Sequence, residues 1–173
     1  MEIKVVVVGE LEENCYILIR NHKCLVIDPG DEYDKIKEVI QNLDVLGVLL
    51  THRHFDHIGA LSELLHDYNV PVYDFFTVKE KEYVLGPFIF SVTYNPGHSK
   101  DSIRFTFKEE KKMFVGDFIF LNSIGRTDLE GGSDIEMKNS IEQLLFEKEN
   151  YVLYPGHGPK TTLEFEKVMN PYF

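Results

Sequence analysis

Apolar positions fall along the chain in two rhythms. Short runs rich in β-branched and aromatic residues recur at "IKVVVV", "CYILI", "CLVID", "VLGVLL", "PVYDF", "FIFSVTY", "SIRFTF", "KMFVGDFIF" and "YVLY", and each has the length and composition of a strand. The turn signals "RNHK" and "KEEKK" make hairpins of two neighbouring pairs. The helical rhythm appears in "EYDKIKEVIQNL", where Ile36, Val39, Ile40 and Leu43 share one face, again from His57 to Tyr68, and from Asp134 to Glu147. The third helix carries its own start signal: Ser133 caps it, Glu136 reaches back, and Met137, Ile141, Leu144 and Leu145 form the buried face. "TTLE", Thr161 to Glu164, opens a short final helix in the same way. Strands that first cluster as hairpins and then alternate with helices predict an α+β chain, a mixed sheet structure covered by helices.

Composition narrows the class. A chain of 173 residues without a low-complexity or linker segment reads as a single domain spanning 1–173. A net charge of −11 and the lack of a basic stripe argue against nucleic acid as a partner. "MEIKVVVVGE" is too short for a membrane span and lacks the basic start of a signal peptide, so the expected location is the cytoplasm, with no membrane partner. In that setting Cys15 and Cys24 are expected as free thiols.

The chemistry lies just beyond the strands. His52 follows "VLGVLLT", His98 follows "FIFSVTYNPG", Asp117 follows "MFVG" and His157 follows "YVLYPG". Near the first of these, "HRHFDH" adds His54, Asp56 and His57. His52 and His54 are two apart, so an extended backbone points them the same way, while Asp56 and His57 sit where the chain turns into a helix. The repeated Pro-Gly-His at 96–98 and 155–157 is expected to use the glycine's conformational freedom to aim each imidazole. Singly, each residue has an ordinary reading as a turn or surface group; together they place a metal-ligand type after four separate strands. Imidazole and carboxylate without thiolate suit zinc, iron or manganese in an open site, and five histidines with two aspartates suffice for two ions. His22 and His66 have no such company and read as solvated residues.

With these residues in place, the sequence resembles the metallo-β-lactamase superfamily. The His-x-His-x-Asp-His signature matches His52, His54, Asp56 and His57, and further matches are "IDPG", "NPGHS", "VGDFIF" and "YPGHGP". The "IGRTDLEGGS" loop and the "NPYF" ending are similar to those of short, single-domain glyoxalase II-like hydrolases. The resemblance implies a four-layer αββα sandwich with the metal site at the edge of its sheets. It also implies His52, His54 and His98 on one ion, Asp56, His57 and His157 on a second, and Asp117 between them. Asp28 looks like the family's supporting aspartate, or is simply a strand-to-turn residue.

The expected activity is that of a metal-dependent thioesterase, in which a metal-bound hydroxide cleaves an S-acyl thiol such as a hydroxyacylglutathione and Asp56 handles the proton. Two divalent ions are the expected cofactors, zinc first and iron or manganese as alternatives. The expected partner is a small-molecule thioester. The larger relatives bind glutathione partly through a C-terminal helical domain for which a chain ending at Phe173 has no room, so the thiol is left open. "HSKDS" departs from the family pattern; Lys100 there either meets a substrate carboxylate or is solvated, and Arg126 either reaches an anionic substrate or pins its own loop. Antibiotic hydrolysis is set aside, because β-lactamases of this fold lack a bridging aspartate at the position of Asp117 and are secreted. The flavodiiron and nuclease branches are set aside as well. The alternative from another reaction class is a persulfide dioxygenase with one iron on His52, His98 and Asp117.

Overall fold

The computed structural model describes residues 1–173. Strands β1 (Glu2–Val8), β2 (Glu13–Arg20) and β3 (Lys23–Ile27) run up and down, and helix α1 (Tyr33–Ile40) crosses to β4 (Asp44–Leu49). Helices α2 (Phe55–Ile58) and α3 (Leu61–Tyr68) precede β5 (Val72–Tyr73), which completes a five-stranded sheet in the order β1-β2-β3-β4-β5. A second sheet is built from β6 (Glu82–Leu85), β7 (Phe88–Tyr94), β8 (Ile103–Phe107) and β9 (Lys112–Gly116). After the small hairpin β10 (Ile119–Phe120) and β11 (Ser123–Ile124) and helix α4 (Asp134–Leu145), strands β12 (Val152–Pro155) and β13 (Thr161–Thr162) extend that sheet beyond β9. Its order is β13-β12-β9-β8-β7-β6, and α5 (Leu163–Met169) follows.

The buried residues sort into layers. Leu18, Leu25, Ile27 and Leu49 of the first sheet pack against Phe90, Phe105, Phe107 and Phe114 of the second, forming the central core. Alternate residues of the first sheet, Ile17, Val26 and Val48, face Ile36, Ile40 and Leu64 of the covering helices. On the outer face of the second sheet, Met113, Val115 and Leu153 meet Met137, Ile141 and Leu144 of α4. This is the four-layer αββα sandwich, with period-two alternation deciding which layer each strand residue enters. Each phenylalanine buried in the centre contributes about 1.5–3 kcal/mol.

Both hairpins occur where "RNHK" and "KEEKK" place them. Asn21 and His22 take φ of 53° and 62°, the paired left-handed turn that matches strand twist, and Arg20 faces Lys23. Elsewhere the structure corrects the periodicity. The helix expected from His57 begins at Phe55 and breaks after Gly59, where the Ala60 amide donates to the Pro29 carbonyl at 3.0 Å instead of back along the helix. "KMFVGDFIF" is not one strand: Gly116 turns at φ 53° and ends β9 before Asp117. The helix expected to run to Leu43 ends at Ile40, and α4 ends at Leu145. Leu145 is exposed rather than buried, while Leu144 beside it takes the place in the core. Ser133 caps α4 as expected, accepting from the Glu136 amide, whereas α5 is capped by Thr162 and not Thr161. β6, the four-residue run "EYVL", is a further strand not among those predicted from the sequence.

The topology positions the site. β9 and β12 are parallel, and β7 is antiparallel to β8, which is antiparallel to β9, so β7, β9 and β12 all finish at one end of the second sheet. The segment after β4 of the first sheet joins them there, held by the Ile103 amide donating to the Thr51 carbonyl.

Candidate metal centre

His52, His54, His98, Asp56, His57, Asp117 and His157 are brought together at that end in overlapping groups. The ligand atoms of His52, His54 and His98 all lie within 4.8 Å of one another, as do those of Asp56, His57 and His157, and those of His52, His57 and Asp117. His54 Nδ1 stands 3.1 Å from His52 Nε2 and 2.8 Å from His98 Nε2, so three ring nitrogens converge on one point. Asp117 reaches both clusters: Oδ1 is 3.4 Å from His57 Nε2, and Oδ2 is 3.5 Å from His98 Nε2 and 3.6 Å from His157 Nε2.

Each ring is aimed from behind. His98 Nδ1 contacts the carbonyl of Arg126 at 2.8 Å, and His157 Nδ1 contacts that of Leu11 at 2.9 Å. Asp28, at φ 48° and almost wholly buried, stands 3.0 Å from His57 Nδ1 and accepts from the Thr51 amide and hydroxyl. It is therefore a support for a site residue, its carboxylate held by these three contacts. The two Pro-Gly-His turns work differently. Gly97 has φ 152°, the conformational freedom expected of it, but Gly156 is needed for space: a side chain there would strike Asp117 and come within 2.6 Å of His57 Cε1.

Burial and neighbouring charge set the protonation states of the apoprotein. Desolvation pushes the His52 imidazole well below its ordinary range, and the adjacent His57 and His98 push the same way, leaving a neutral donor. Desolvation also opposes charge on His57, yet the neighbouring Asp117 and Asp28 carboxylates outweigh it and carry this imidazole well above its ordinary range. Asp117 is likewise opposed by burial but is held low by His57. His57 Nε2 and Asp117 Oδ1 are buried without a hydrogen-bond partner. Converging lone pairs, buried anions and these orphaned atoms are what divalent cations would satisfy, so the residues fit two ions.

The remaining candidates lie at the rim. Arg126 is exposed and pairs with Asp128 of its own loop, so its main-chain carbonyl, not its guanidinium, touches the site. Lys100 is exposed, while its neighbour Asp101 accepts from the Arg53 amide and so ties the His98 loop to the His52–His54 segment. Arg53, between those two histidines, is anchored by a pair with the buried Asp74. His22 and His66 are exposed, as expected of solvated histidines, and both cysteines are free. Sequence reasoning missed Glu13, Thr51 and the two carbonyls. Only Glu13 left a signal, as an acidic residue at the head of the buried strand β2.

An αββα sandwich bearing this histidine–aspartate cluster at one sheet end defines a class, and the chain belongs to the metallo-beta-lactamase superfamily, whose family pattern it matches over residues 8–74 and 72–157. It is a metallo-hydrolase of that superfamily. Among its relatives is the probable metallo-hydrolase YqgX of Bacillus subtilis, 35% identical over 95% of this chain and 94% of that protein. Another is the hydroxyacylglutathione hydrolase GloC of Haemophilus influenzae, 28% identical over 99% of this chain and 98% of the relative. Crystal structures that superpose on it include the BLEG-1 B3 metallo-beta-lactamase, with a TM-score of 0.93 at 30% identity over 99% of both chains. TTHA1623 in a di-iron-bound form gives 0.88 at 32% identity, over 98% of this chain and all of that one. ETHE1 from Myxococcus xanthus gives 0.88 at 26%, over 99% of this chain and 84% of that one. No helix is long and apolar enough to cross a membrane.

Proposed function

We propose that the protein is a binuclear thioester hydrolase, with His52, His54 and His98 holding one divalent ion, Asp56, His57 and His157 the other, and Asp117 bridging them. The observation that carries this reading is the position of Asp117, whose two oxygens face His57 on one side and His98 and His157 on the other. Bound divalent ions supply positive charge opposite a developing oxyanion and the acidity that lets water act as a nucleophile near neutral pH.

The chain's own residues supply placement and proton handling. Asp28, Leu11 and Arg126 fix the tautomers of His57, His157 and His98, so each presents a lone pair inward. Asp56 Oδ2 lies 3.2 Å from His157 Nε2, and although burial raises its proton affinity, in the metal-free protein that contact and the charge of His57 keep it ionised. It is the candidate to receive the proton left by the nucleophile. A departing thiol of pKa about 8.5 needs little acid assistance, which favours an S-acyl thiol as substrate.

Hydroxyacylglutathione is supported as the first substrate to try by the relative of that name, which this chain matches over 98% of that protein's length. Zinc is the first metal to test, and the di-iron-bound neighbour keeps iron beside it. A panel of S-lactoylglutathione and simple acyl thioesters, with a β-lactam included because of the B3 enzyme's likeness, tests the reading. Thioester cleavage that is abolished by metal removal and restored by its return is the expected result; inertness toward every thioester would reject it. Arg126 and Lys100 are the basic groups proposed to meet an anionic thiol, so Arg126→Glu should raise KM severalfold and leave metal content intact.

A second reading is favoured by the likeness to ETHE1: one iron on His52, His98 and Asp117 in a persulfide dioxygenase. One iron per chain together with persulfide-dependent oxygen uptake would select it.

A further inference from the structure

Glu13 is the one buried acid for which the site as described has no use. It heads β2 opposite Val8 and is also bridged by backbone to His157. Its side chain is 1% exposed, and neither carboxyl oxygen has a hydrogen-bond partner. Oε1 stands 3.8 Å from His57 Nδ1, on the face of the ring already met by Asp28 at 3.0 Å. Glu13, Asp28 and His57 form a cluster of ligand-type atoms within 4.8 Å of one another, behind His57 as seen from Asp117. Gly30 closes the pocket, since a side chain there would come within 2.6 Å of Glu13 Oε2.

A carboxylate buried without a partner is costly, and glutamine would fill the same volume without the charge. Concentrated positive charge nearby would offset that cost. Two divalent ions carry more charge than Asp56 and Asp117 neutralise, and the surplus would lie across the His57 ring from Glu13. Negative charge behind an imidazole strengthens the donor atom on its far side.

We propose that Glu13 is a positioning residue that acts through His57 to set the affinity of the Asp56–His57–His157 position for its ion. This rests on the binuclear reading above. The two can fail separately, because the test first asks whether the wild-type protein binds an ion at that position at all.

The experiment titrates metal-stripped wild type, Glu13→Gln and Glu13→Asp with zinc against a chromophoric chelator. The step lost in Asp56→Ala marks the position concerned. Thermal unfolding of each apoprotein is followed in parallel. Glu13→Gln should weaken that step about 10- to 100-fold and change the other less than about twofold, with an apoprotein Tm no lower than wild type. Glu13→Asp, which keeps the charge at a greater distance, should fall between. Two unchanged steps, or equal weakening of both with a lower apoprotein Tm, would overturn the proposal in favour of a plain packing role. A wild type with no step that Asp56→Ala removes would overturn it together with the binuclear reading.

Discussion

At the scale of single residues, the site is a set of polar groups whose satisfaction depends on one another. Asp28 is the clearest case: it receives the Thr51 amide at 2.7 Å, the Thr51 hydroxyl at 2.6 Å and His57 Nδ1 at 3.0 Å, all buried. Asp28→Ala leaves those donors without an acceptor, at about 1–3 kcal/mol for each unsatisfied group. Urea unfolding of the apoprotein should show a loss of about 3 kcal/mol, and zinc titration a weaker Asp56–His57–His157 position. The cysteines make the opposite case of chemistry withheld. Both are buried, and desolvation raises the Cys15 thiol well above its ordinary range and the Cys24 thiol up to about 12. A thiol reagent at pH 8 should label neither in the native protein and both after unfolding.

The donor side chains were legible in sequence because each follows an apolar strand, and a strand end is where a side chain can leave the sheet without burying polar backbone. What holds them was less legible. The carbonyls of Leu11 and Arg126 belong to residues whose side chains have nothing to do with the contact. Gly156 reads as a turn residue and proves to be a clearance for His57 and Asp117, a requirement of segments distant in sequence.

At the scale of elements, hydrophobic period gave most strands and all three longer helices, and it failed where a close approach between distant backbones overruled it. The amphipathic stretch after His57 is interrupted at Ala60 because its amide donates to the Pro29 carbonyl, and Gly116 ends β9 against Thr51. Caps were read well because they are local: Ser133 accepts from the Glu136 amide at 3.3 Å. Ser133→Ala should lower stability by about 1 kcal/mol, measured by denaturant unfolding, with metal affinity unchanged. The Ser133 amide also donates to Gly97 at 2.8 Å, and that backbone contact, which ties α4 to the His98 turn, survives the substitution.

At the scale of the molecule, the sandwich explains why residues as far apart as His52 and His157 share one site. β7, β9 and β12 finish at the same end of one sheet, and the segment after β4 arrives from the other, so the site is assembled only when both sheets pack. Ions bound there would hold the two sheets together and, if they bind the folded state alone, would raise Tm in proportion to the logarithm of their concentration. The measurement that bears most directly on this account is elemental analysis of natively purified protein, counting metal per chain. Two divalent ions per wild-type chain, lost from Asp117→Ala while that variant keeps its fold, is the predicted result. A protein purified without bound metal, or with a single iron and persulfide-dependent oxygen uptake, would contradict the binuclear hydrolase.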